Sequence, residues 1–212
     1  MRTKAILLTA AVIAAGIGTS VAQQVFSANA VGYVNVSLPV GFSMIANPLN
    51  GTNNTLSTIL PTVPEFTELY PFDPASQQFL GASTYIGGEW DVNYTLNPGE
   101  GAFVRLAEAA TVTFIGEVPQ GNLSNPLSAN FQIKASQVPQ AGGLTGDLGY
   151  PAGEFDVVFK FDRAAQAFES AYTFIGGAWD PADPQIGLAE SVFIQRTAGG
   201  NWARTFNVNT TP

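Results

Sequence analysis

Apolar and polar positions alternate in short runs along most of the chain. GYVNVSL, FSMIANP, ELYPF, QQFLGAST, GAFVRL and TVTFIGEV are rich in Val, Ile, Phe, Tyr and Thr, and Gly, Pro, Asn and Asp separate them. This pattern predicts strands joined by turns. The clearest alternation places Phe66, Glu68, Tyr70 and Phe72 on one face of a strand, and Phe155, Val157, Phe159 and Phe161 on one face of another. Their aromatic members are candidate core. Pro71 has no N–H to donate, so the first of these strands is expected at an edge or an irregularity. Helical patterning is confined to TNNTLSTIL at 52–60, where Thr52 to Thr55 can cap a short turn. The expected fold is all-β, sandwich or barrel-like.

The pattern is written twice. Residues 64–91 match 153–180 at 14 of 28 positions without a gap, an offset of 89. Downstream the offset moves to 90, which aligns Glu100 with Glu190 and Phe103 with Phe193. Two tandem units follow, about 31–119 and 120–208, within segments 23–119 and 120–212. Their period far exceeds that of common solenoid repeats and points to duplication of a small domain or half-domain.

The loudest repeated segment is YIGGEWD at 85–91 and FIGGAWD at 174–180. Gly87-Gly88 and Gly176-Gly177 permit positive φ at both central positions of a tight hairpin turn. Trp90 and Trp179 can then cover the sheet end, while Asp91 and Asp180 accept backbone N–H groups. A second reading makes Trp90, Asp91, Trp179 and Asp180 a pair of glycan platforms, with an exposed indole stacking on a sugar and a carboxylate accepting its hydroxyls.

The amino terminus changes the compartment. Arg2 and Lys4 precede an apolar stretch from Ala5 to about Ile17, followed by Ser20-Val21-Ala22 with small residues where signal peptidase reads. Residues 1–22 are therefore expected to be a secretory signal peptide, placing the protein outside the cell, at its surface or in the periplasm. Loss of Arg2 and Lys4 leaves 6 basic against 16 acidic residues, a formal charge of −10. That balance argues against nucleic acid and, after cleavage, against membrane surfaces as partners.

Absent residue types narrow the chemistry further. The chain has no cysteine and no histidine, which removes disulfides, thiol nucleophiles, Ser-His-Asp catalysis and the common zinc sites. Carboxylate pairs could still make a glycosidase, with Glu65 and Glu68, Glu154 and Asp156, or Glu100 and Glu190 as candidates. Across the repeat Glu68 becomes Val157 and Asp156 becomes Thr67, so no common pair persists and these read as solvated charges. Asp180 and Asp183 offer calcium only two oxygen ligands, and no metal or other cofactor is expected.

NAVGYVNVSLPVGFSMIANPLN, LNPGEGAFVRLAEAATVTFIGEVPQGNLSNPL and the FIGGAWDP region resemble a group of exported β-rich repeat proteins of verrucomicrobial bacteria. The resemblance covers most of the chain after the leader, with GFSMIANPL and LNPGEGAFV its more specific parts. It implies bacterial export and a duplicated β architecture, and it carries over no catalytic residues. The expected function is thus a noncatalytic cell-surface or matrix protein, with further copies of itself as partner in an oligomer or filament. Val25, Phe26, Val31, Tyr33 and Val34 lie in an apolar segment able to pair with an open sheet edge. A carbohydrate-binding module built on the Trp-Asp corners is the alternative.

Overall fold

A computed structural model describes residues 30–208. Residues 1–22, expected to be a signal peptide, and Val25 and Phe26 lie outside the described residues. The chain runs β1 (Val31–Leu38), β2 (Gly41–Ala46), α1 (Leu56–Ile59), β3 (Glu68–Asp73), β4 (Gln78–Phe79), β5 (Ser83–Ile86), β6 (Glu89–Trp90), β7 (Gly101–Leu106) and β8 (Ala110–Glu117). It continues β9 (Gly121–Leu127), β10 (Asn130–Lys134), β11 (Gly142–Gly143), β12 (Val157–Phe159), β13 (Phe161–Asp162), β14 (Ala167–Phe168), β15 (Tyr172–Ile175), β16 (Ala178–Asp180), β17 (Gln185–Ile186), β18 (Val192–Arg196) and β19 (Gly200–Phe206). The fold is all-β. Among the described residues one short helix forms, beginning after Thr55, whose hydroxyl bonds Asn53 Oδ1 rather than a helix N–H.

In the first half β1 and β8 form an antiparallel ribbon, and β2-β7-β3-β5-β6 form a sheet. The second half pairs β9 with β19 and orders β10-β18-β12-β15-β16. Strand starts in that sheet follow those of the first at the offset read from the sequence, 89 for Gly41 and Asn130 and for Glu68 and Val157. Each half buries a core between ribbon and sheet. Val34, Val36, Leu38, Val112 and Phe114 of the first ribbon pack with Ile45, Leu69, Val104 and Leu106 of the sheet. In the second half Leu127 and Trp202 meet Val158, Val192 and Ile194.

Both faces of the main sheets are occupied, and this corrects the expected core. Leu69 and Val158 face the ribbon cores and are fully buried, whereas Tyr70, Phe72, Phe161 and Phe193 on the opposite face pack around Met44, Phe103 and Ile133. That third cluster is the seam between the halves. Phe66 and Phe155 are exposed, because each sits before its strand in a turn with φ of 63° and 67°. Pro71 marks an irregularity and not an edge: β3 is flanked by β7 on one side and by β5 then β4 on the other.

Reciprocal bonds hold the seam. Gln77 accepts the Phe131 N–H at 3.0 Å and donates to the Phe131 carbonyl at 2.9 Å. Gln166, 89 residues on, does the same to Phe42 at 2.6 and 2.9 Å. Likewise the Ala46 N–H bonds the Ala189 carbonyl, and the Ala135 N–H bonds the Gly99 carbonyl, both at 2.9 Å. Each glutamine thus satisfies both backbone groups of a phenylalanine across the seam. At the closest approach Gly101 leaves no room for a side chain, since a Cβ would stand 2.6 Å from Ile133 Cγ2.

Candidate functional site

The two Gly-Gly corners form as the sequence reading expects. Gly87 and Gly88 have φ of 65° and 86°, and Gly176 and Gly177 have 62° and 84°. Glu65 caps the first turn by accepting the N–H groups of Gly87 and Gly88, and Glu154 caps the second by accepting that of Gly176. The tryptophans, however, turn inward. Trp90 is 7% exposed and donates its indole N–H to the Leu60 carbonyl; Trp179 is 8% exposed and donates to Thr145 Oγ1. Each packs edge-on to the aromatic of its own hairpin, Tyr85 and Phe174, at 5.4 and 5.3 Å. Both indoles are largely buried, the arrangement of a lid over the core. Asp91 remains exposed at the corner and accepts the Thr84 N–H across the hairpin, and Asp180 is exposed at the end of β16.

The carboxylates weighed as acid and base all have structural partners. Glu100 accepts the Asn97 N–H and Glu190 the Gly187 N–H, closing equivalent turns. Glu68 holds Arg105 at 2.9 Å and accepts from the Tyr70 hydroxyl. Asp183 accepts the N–H groups of Thr145 and Gly146. Asp156 is buried and binds the Tyr150 hydroxyl at 2.8 Å, the Gly153 N–H at 3.0 Å and Arg196 at 3.4 Å. In the first half Thr67 occupies the equivalent buried position and bonds the Pro64 carbonyl, so the ionic arrangement belongs to one half alone.

Burial and the Asp156 bond push the Tyr150 phenol far above its ordinary value near 10. The folded state therefore holds this proton more tightly than the unfolded chain, and the stability it confers is complete below about pH 10 and falls as pH rises further. Alkaline titration of tyrosine absorbance, read beside circular dichroism, is expected to show one phenol ionising only with unfolding, and Tyr150→Phe removes that step. A late step of the same size in Tyr150→Phe would contradict the assignment.

The expected assembly strand has an open side. β1 pairs with β8 alone among the described residues. Val34 points into the core, while Val31 and Tyr33 are 64% and 70% exposed on the outer face. Beyond them the outer face is polar, with Asn35 bonded to Thr113 and Ser37 to Thr111 across the ribbon. The two most specific motifs also find a physical role, since Asn47 of GFSMIANPL and Gly99-Glu100 of LNPGEGAFV bond each other through their backbones. Asn47 further donates to the Leu96 carbonyl, and Asn54 donates to Asn50. These amides back an open polar cleft of about 670 Å³ lined by Asn50, Asn54, Asn97, Gln120 and Gln137.

The seam supplies the feature that sequence reasoning missed. Two open hollows of about 560 and 420 Å³ lie along it, walled almost wholly by phenylalanine. Their one charged wall residue, Glu169, is paired with Lys160 at 3.7 Å. The signal was present as aromatic pairs at the repeat offset, Phe42 with Phe131, Phe79 with Phe168 and Phe103 with Phe193. Among the described residues no helix is long and apolar enough to cross a membrane. No family model, curated protein or solved structure matches the chain.

Proposed function

We propose that the chain is an exported, noncatalytic structural protein, built from two copies of one β unit, that assembles with further copies by adding strands to the free side of β1. The observation carrying this reading is the eight-residue edge of β1 that is unpaired among the described residues, with Val31 and Tyr33 turned to solvent. A long edge of this kind is a template for another chain unless charge or proline blunts it, and β1 contains neither Lys, Arg nor Pro. Export rests on the leader of residues 1–22 and on the resemblance to exported bacterial β proteins. The test is Val31→Lys with Tyr33→Lys, two exposed positions where charge leaves the core untouched. Large assemblies are expected to disappear while circular dichroism and melting stay unchanged; assemblies that persist refute the edge as their route.

Glycan binding is a second reading, and it now rests on the amide-lined cleft around Asn50, Asn54 and Asn97. The buried tryptophans lend it nothing.

A further inference from the structure

The aromatic surface is wider than the contact it makes between the halves. Phe79 and Phe168 remain 47% and 48% exposed, and Phe42 is exposed beside them. They border the two hollows, and the repeat offset turns one lining into the other: Phe42, Tyr70, Phe79 and Phe103 around the smaller become Phe131, Phe159, Phe168 and Phe193 around the larger. A largely apolar patch of this kind, interrupted only by Gln166 and Glu169 among its lining side chains besides the Tyr70 hydroxyl, marks a site of association.

We infer that this face docks a second copy of the chain, through an interface distinct from the β1 edge. The chain itself shows that the surface packs on its own likeness. Phe72 of one half meets Phe193 of the other edge-on at 4.9 Å, Phe103 meets Phe161 at 5.2 Å, and the Gln77 and Gln166 clasps are exchanged reciprocally. The exposed rings continue that same interface outward. In a twofold pair, the protruding Phe79 and Phe168 of each copy enter the hollows of the other.

Charge favours the same occupant. Copies that have lost Arg2 and Lys4 carry a formal charge of −10 and repel over most of their surface, but the hollows present only Glu169, already paired with Lys160. The polar side chains on these walls are already engaged, Gln166 with the Phe42 backbone, the Tyr70 hydroxyl with Glu68, and Glu169 with Lys160 and the Tyr172 hydroxyl, which disfavours a sugar. With this face and the β1 edge both in use, two different contacts alternate and assembly extends; with this face alone, it stops at a dimer.

The experiment is sedimentation of the full chain after the leader, over a range of concentrations, in the Val31→Lys/Tyr33→Lys background. Dimers are expected there, and Phe79→Lys with Phe168→Lys is expected to weaken them at least about 30-fold, the loss typical of a central aromatic contact. Should the lysine pair lower the melting temperature, Phe79→Ser with Phe168→Ser keeps the test valid, because both rings are half-exposed. Equal dimerisation with and without the phenylalanines overturns the inference. So does a background protein that stays monomeric at every concentration, including one whose rings bind the apolar dye ANS in place of a copy. Large assemblies that survive Val31→Lys/Tyr33→Lys and vanish with the phenylalanine substitutions refute the edge and also overturn the twofold pairing, since a twofold contact alone stops at a dimer.

Discussion

Trp179→Ala lowers folding stability by about 3–5 kcal/mol, and Trp90→Ala does so by a similar amount. Each indole fills the space between a Gly-Gly hairpin and the core behind it, with its ring against Phe174 or Tyr85. Truncation leaves a cavity that the hairpin cannot close, and it also orphans the Leu60 carbonyl or the Thr145 hydroxyl. For a chain of this size the loss corresponds to a melting temperature lower by about 6–20 °C. Differential scanning fluorimetry checks it. An exposed binding platform would behave otherwise, since surface substitutions away from such features stay within about 0.5 kcal/mol; a variant that melts like the parent contradicts the core assignment.

The double substitution Gln77→Ala and Gln166→Ala loosens the seam. Each glutamine satisfies both the N–H and the carbonyl of a phenylalanine in the other half, from a backbone with φ of 57° or 53°. Asp73 and Asp162 fix the turns that present them: Asp73 accepts from the Ser76 hydroxyl and the Ala75 N–H, and Asp162 from the N–H groups of Ala165 and Ala164, and those bonds hold both carboxyls below the ordinary aspartate value. The Phe131 backbone groups are partly buried and the Phe42 groups exposed, so losing the Gln77 clasp costs about 1–2 kcal/mol, the Gln166 clasp about 0.5–1 kcal/mol, and the two together about 1.5–3 kcal/mol. The neighbouring Gln78 is exposed and bonds to no group of the other half, so Gln78→Ala is the control expected to leave the melting curve in place. Equal melting of all three proteins would show that the aromatic contacts alone hold the seam.

Much of the fold is legible in the sequence because local chemistry dictates it. Gly87-Gly88 and Gly176-Gly177 demand a turn that few other residues adopt, and the runs rich in Val, Ile, Phe and Tyr between turn residues are the strands observed. Alternation also separates the two faces of β3 and β12 correctly, but it cannot say which face meets the ribbon and which the seam when both are covered. Phe66 and Phe155 mislead for a different reason: they continue the two-residue rhythm into a turn whose positive φ breaks it. The tryptophans carry no mark of burial in their letters, since an indole beside a turn suits a core lid and a sugar platform equally. Gln77 and Gln166 are identical in the repeat, yet a glutamine in a turn carries no distance information, so the clasps emerge only once the halves are placed together.

Assembly is the central claim, and sedimentation velocity of the untagged chain from Gln23 onward, across a wide concentration range with electron microscopy of the heavy fraction, tests it most directly. The account predicts a size distribution that grows with concentration beyond the dimer into extended assemblies. A single monomeric species at every concentration would contradict it and direct attention to the amide-lined cleft.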